Sequence, residues 1–161
     1  MDATAGTVQG KRGMRMQERY LFRAKRKDFG EWVFGGLAYC EKNGAYFITK
    51  MGKDHISYIG YSQEVDPDTI CQCTGLKDKN GNLILENDIV NGSIKRGAAF
   101  YRCFVLWNEC KARFDVRAQG CNFPMTLDEC TDDISMSGFE YEVVGNVFDN
   151  PELLEDSHDG E

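Results

Sequence analysis

A chain of 161 residues, 42% hydrophobic and 12% aromatic, has enough apolar area for a packed interior, which excludes wholesale disorder. Its length fits one domain of the usual roughly 100–200 residues, or two small lobes sharing a core. A net charge of −7 sets the molecule as a whole against polyanions. No run approaches the roughly 18–20 apolar residues that span a bilayer, and the opening MDATAGTVQGKRG lacks the apolar centre of a secretory signal, so a cytoplasmic location without membrane contact is expected.

Residues 1–15 show no apolar periodicity and are expected to form a flexible N-terminal extension, with order beginning near Met16. Tyr20–Lys25 and Glu31–Gly35 read as two strands joined by a Gly-containing turn, a hairpin. Ala45–Ile48 and Ile56–Ile59 are aromatic and β-branched, and they predict two further strands, punctuated by Asn43-Gly44 and by Lys50–Lys53. Cys71 and Cys73 are spaced to share one face of a strand. Asn80-Gly81 suits a turn that needs positive φ, after which a new strand enters at the polar corner Glu86–Val90. Phe100–Trp107 and Ala112–Arg117 predict a second hairpin. A loop with a short helical turn near Thr126–Cys130 precedes a last strand at Tyr141–Phe148. Asn150 then caps a short C-terminal helix, with Pro151 at its first position and Leu153 and Leu154 docking it. Residues 156–161 read as a frayed tail. The pattern is mainly β, with antiparallel strands and hairpins.

Charge is distributed unevenly along the chain. Lys11, Arg12, Arg15, Arg19, Arg23, Lys25, Arg26 and Lys27 crowd the start, whereas no Lys or Arg follows Arg117 and acids accumulate there. Either the two ends attract each other, within the fold or between subunits, or a basic strip for phosphate lies beside an acidic surface for a protein partner. Arg23, Lys25, Arg26 and Lys27 with Trp32 form the candidate nucleic-acid contact, because single-strand binders pair cations with stacking aromatics. Asp128, Glu129, Asp132, Asp133, Glu140 and Glu142 form the candidate acidic surface.

Motifs for chemistry are weak. Asp78–Asn82 spaces oxygens as a calcium loop does, but Leu83 stands at the position for Gly and Ile89 at the position for the bidentate Glu, so a plain turn is expected. Seven cysteines without an export signal read as reduced thiols packed as small apolar groups. A zinc site from Cys71, Cys73, Cys103, Cys110, Cys121 and Cys130 lacks a Cys-x-x-Cys knuckle, and the two histidines, His55 and His158, sit in a polar turn and in the tail. No phosphate loop, GxGxxG or nucleophile elbow occurs. The expectation is a protein that is not an enzyme and has no catalytic residues, cofactor or metal.

Three stretches together resemble the YopX-like family of phage and prophage proteins: Leu21–Asp28 through Glu31–Gly35, Thr74–Gly81 through Asp88–Val90, and Tyr141–Leu154. Cys73 stands where the resemblance implies an aromatic, and Asn87 where it implies Gly. The resemblance implies one domain over residues 16–155, with an N-terminal β lobe at 16–68 and a lobe at 69–150 that looks like a small SH3-like barrel. It also implies a small accessory protein in a bacterial host cell, one that binds a host or phage macromolecule. The expected action is inhibition of a defence nuclease, of CRISPR or another type, through the acidic surface. Two alternatives are a nucleic-acid binder using the basic strand and a structural homo-oligomer.

Overall fold

The computed structural model describes residues 18–49, 62–94, 100–118, 124–127 and 139–155. Eleven strands occur among the described residues: β1 Phe22–Lys25, β2 Trp32–Cys40, β3 Ala45–Thr49, β4 Ser62–Val65, β5 Cys71–Lys77, β6 Leu83–Leu85, β7 Asp88–Ile94, β8 Phe100–Asn108, β9 Arg113–Ala118, β10 Met125–Thr126 and β11 Phe139–Asn146. Their ladders are antiparallel and form two sheets, ordered β4-β3-β2-β1-β5-β6 and β10-β9-β8-β7-β11. Helical structure is confined, among the described residues, to 3₁₀ turns at Glu18–Tyr20, Pro67–Thr69 and Pro151–Leu154. None is long and apolar enough to cross a membrane.

The first hairpin forms where the sequence places it. Arg26 N–H donates to Glu31 and Gly30 N–H to Arg26, with Gly30 at φ +70°, so the turn needs a residue free of the Cβ penalty. Ala24 and Val33 face one another across this hairpin and join Ile48 and Val65 in a buried cluster. Gly35 lets β2 run close beside the end of β3, since a Cβ there would lie 2.1 Å from the Thr49 carbonyl oxygen. β4, a polar strand the alternation rule overlooks, returns to the end of β1 through an Arg26–Val65 bridge and an Asp66 N–H donated to Lys25.

The second sheet packs Val90, Cys103, Val105, Val116 and Tyr141 with Ile84 and Leu127. This second-half sheet has five antiparallel strands, and no closed barrel forms among the described residues. β5 pairs with β1 in the register Phe22–Gln72 and Arg23–Cys71, and β6 follows it, so the first sheet absorbs both strands. The chain changes sheets at Glu86–Asn87. Asn87 holds φ +63°, and of the non-glycine residues asparagine tolerates that left-handed region best, which explains how it serves where the resemblance implies Gly.

The C-terminal helix is one 3₁₀ turn, with Pro151 at its start and Leu153 and Leu154 half-buried. Asn150 occupies the position before it but does not cap it. Its Oδ1 instead accepts from the Asn146 N–H at 3.3 Å. Thr126 is in a strand, whereas the rest of the expected helical turn, Asp128–Cys130, lies outside the described residues, as do the strand expected at Ile56–Ile59 and both ends of the chain.

Candidate binding surfaces

The basic strip lies on and just after β1, and each of its cations meets a carboxylate of the same chain. Arg23 is 8% exposed, its guanidinium 2.5 Å from Asp88 Oδ1 and 4.8 Å from the centre of the Trp32 ring. Asp88 is buried, and its other oxygen accepts the Leu85 N–H at 2.7 Å. Burial pushes its pKa up, against the pull of Arg23 and of that N–H. This ion pair joins β1 of the first sheet to β7 of the second. Lys25 reaches Asp149 at 2.6 Å, and Trp32 Nε1–H donates to the same carboxylate at 2.6 Å. Hydrogen bonds from Lys25, from the Asn146 carboxamide and from Trp32 lower the Asp149 pKa to about 2. Arg26 binds Asp28 through two nitrogens, and Lys27 reaches Glu64 at 2.7 Å. The electrically opposite ends of the sequence therefore meet within one fold, at Lys25 and Asp149.

Of the acidic surface, Glu140 is exposed on β11, and Glu142 is held by Lys79 at 2.8 Å and by the Asn80 carboxamide at 3.3 Å. Those bonds, Lys79 first, lower the Glu142 pKa. Asp128, Glu129, Asp132 and Asp133 lie outside the described residues. The would-be calcium loop is a turn closed by Gly81 N–H donating to Asp78, with Gly81 at φ +84°. Asp78 is buried; its carboxylate accepts from the Asn80, Asn82 and Val143 N–H groups and from the Asn82 carboxamide. Burial raises its pKa, but these donors outweigh burial and the net shift is downward. With the Lys79 N–H donated to Tyr141, the turn covers part of the outer edge of β11 and blunts it against pairing with another chain.

Cys71 and Cys73 share a face of β5 and are fully buried, and burial pushes both thiols up. Cys103 is buried, Cys40 half-buried and Cys110 exposed, and all five are free thiols. Cys121, Cys130, His55 and His158 lie outside the described residues, within which no three His, Cys, Asp or Glu side chains are placed to hold a metal.

One surface escaped the sequence reading. A cleft of about 560 Å³ opens between the first 3₁₀ turn with β5 on one side and the β8–β9 hairpin on the other. Its walls include Tyr20, Leu76, Trp107 and Phe114, with Arg19 and Arg113 among the lining residues. Trp107 is 39% exposed and meets Phe114 edge-on at 5.0 Å between ring centres. Arg113 Nε–H donates to the fully buried Asp115 at 2.9 Å, and the Asn108 carboxamide holds the other Asp115 oxygen at 2.6 Å. Arg19 lies over the Tyr20 ring and donates to the Tyr20 hydroxyl at 2.6 Å. The available signal was parity: Trp107 follows Cys103 and Val105 on the inward face of β8 but runs past the core, next to a turn, where a large ring stays uncovered.

A family model described as "YopX protein" matches residues 21–155. No protein with a curated description matches the chain. Among solved structures, the chain is similar to the crystal structure of protein EF1440 from Enterococcus faecalis, at 25% sequence identity and a TM-score of 0.46, over 83% of this chain and 96% of that one.

Proposed function

Because the chain belongs to the YopX family, whose model takes in residues 21–155, we propose that it is a phage-type accessory protein that binds a macromolecular partner and carries out no reaction of its own. One observation carries this reading. The cations of the β1 strip are matched by the chain's own carboxylates, while the sequence after Arg117 holds acids without a single Lys or Arg. A polyanion finds its counter-charges already engaged on that strip, and a basic partner finds acid in excess.

The finer form of the proposal assigns docking to Asp128, Glu129, Asp132, Asp133, Glu140 and Glu142. These would compete for the basic nucleic-acid groove of a host defence nuclease, CRISPR-type or other. The test is capture from host lysate on the immobilised chain, with retained proteins identified by mass spectrometry and eluted by a salt gradient. A basic protein released by moderate salt, and not retained by an Asp128→Asn, Glu129→Gln, Asp132→Asn, Asp133→Asn variant, is the expected result. Retention that ignores both salt and these substitutions refutes it. A gel shift abolished by Lys25→Ala, Arg26→Ala and Lys27→Ala would favour nucleic acid instead, and light scattering that shows only self-association would favour the homo-oligomer.

A further inference from the structure

The cleft between the two sheets has a chemistry opposite to the acidic surface. Its walls are aromatic and aliphatic, and the hydrogen-bonding groups left over are mostly donors. Among the described residues, Arg19 lies over Tyr20 and has no carboxylate partner, Arg113 is anchored through Nε alone, which leaves its two terminal nitrogens, and Trp107 Nε1–H has no hydrogen-bond partner. Thr74 is satisfied by the Ile84 carbonyl and the Leu76 N–H. The Gln72 carboxamide gives its N–H to the Arg19 carbonyl, which leaves its oxygen as an acceptor.

We propose that this cleft is a binding site for a short acidic peptide segment carrying an aromatic side chain. The ring would pack between Trp107, Tyr20 and Leu76, the acidic groups would take the guanidinium N–H donors of Arg19 and Arg113, and the Gln72 oxygen would accept a peptide N–H. Aromatic rings with flanking cations and directed N–H groups favour an anionic, partly apolar ligand. The volume, about 560 Å³, suits a few side chains rather than a long strand. The buried Asp115 and the Asn108 carboxamide fix Arg113 before any ligand arrives, which limits the ordering cost of binding. A nucleic-acid strand also offers anions and rings, but the net charge of −7 opposes an extended polyanion, so against such a strand the charges favour the short peptide. The site does not depend on the acidic surface.

The chain has two tryptophans, so the Trp107 indole N–H is one of two such resonances in an amide-correlation NMR spectrum. Titration of the full chain with acetyl-Phe-Asp-Glu-amide is expected to shift the Trp107 signal saturably and leave that of Trp32 in place. The uncharged acetyl-Phe-Asn-Gln-amide should bind roughly ten-fold more weakly, as should the acidic peptide to Arg19→Ala, since a charge-assisted hydrogen bond contributes about that factor. Trp107→Ala should abolish binding, with the Trp32 resonance reporting that the fold is intact. The Asp128→Asn, Glu129→Gln, Asp132→Asn, Asp133→Asn variant should bind the peptide unchanged, which separates this site from the surface proposed above. The inference is overturned by the absence of a saturable shift, by equal binding of the two peptides, by indifference to Arg19→Ala, or by tighter binding of thymidine monophosphate than of the acidic peptide.

Discussion

Two arginines lie over neighbouring aromatic rings at the same distance, Arg23 4.8 Å from the Trp32 centre and Arg19 4.8 Å from the Tyr20 centre, yet their surroundings differ in kind. Arg23 is buried against Asp88 and ties the two sheets together. Arg19 is exposed at the rim of a cleft and pairs with a hydroxyl. A cation beside an aromatic is thus ambiguous until its counter-charge is located. At Arg23 the carboxylate is present and the pair is structure; at Arg19 no carboxylate stands within reach among the described residues, and the cation is left for a ligand.

Breaking the buried pair should have the largest effect. Asp88→Asn leaves the Arg23 guanidinium buried without a counter-charge, so chemical denaturation should register a loss of about 3–5 kcal/mol. Arg23→Met combined with Asp88→Asn should cost less than the sum of the two single changes, with a coupling of about 1–3 kcal/mol. Strict additivity would mean that the pair does not join the sheets. Next in size is Asp78→Ala, which strands the N–H groups of Asn80, Asn82 and Val143 and should cost about 2–3 kcal/mol. Because this turn also covers the β11 edge, light scattering should show the variant more prone to associate.

Much of the framework was legible because it is local. The β1–β2 hairpin, the inward parity of Cys71 and Cys73, the Asn80-Gly81 turn and the entry to β7 at Asp88 all rest on neighbours a few residues apart. What escaped was non-local. Trp32 and Asp149 are 117 residues apart, and no pattern within either segment announces the other, so the strip at Arg23–Lys27 looked available when its partners were merely distant in sequence. The same holds for the place of β5 and β6: they belong to the first sheet because β5 pairs with β1 and β6 with β5, and periodicity does not encode the first of those pairings. The cleft was hidden for a third reason, since Trp107 has the parity of a core residue and only the end of the packing beneath it leaves the ring exposed.

The clamp at Asp149 gives a smaller effect with a distinct pH signature. Its folded pKa of about 2 lies below the ordinary value of 3.8, so its stabilisation is fully present above pH 4 and fades as the pH falls toward 2, where the carboxylate protonates in the folded state too. The carboxylate is 38% exposed, so solvent screening reduces its contribution to about 1 kcal/mol or less. Urea midpoints of the wild type and Asp149→Asn should therefore differ at pH 7 and converge near pH 2. A constant gap across that range would trace the loss to packing of the hairpin against Phe148 rather than to charge.

Arg19→Ala should have the smallest effect on stability, and that smallness completes the comparison. The side chain is exposed and its hydrogen bond runs to the neighbouring Tyr20 hydroxyl, while the contacts that hold the turn in place, the Gln72 carboxamide on the Arg19 carbonyl and the close approach of Gly75 to the Arg19 Cβ, survive truncation to Ala. Surface substitutions of this kind stay within about 0.5 kcal/mol. A loss as large as that at Asp88 would show that Arg19, like Arg23, is already matched within the fold, and the cleft would then have no unmatched cation at its Tyr20 rim to offer an anion.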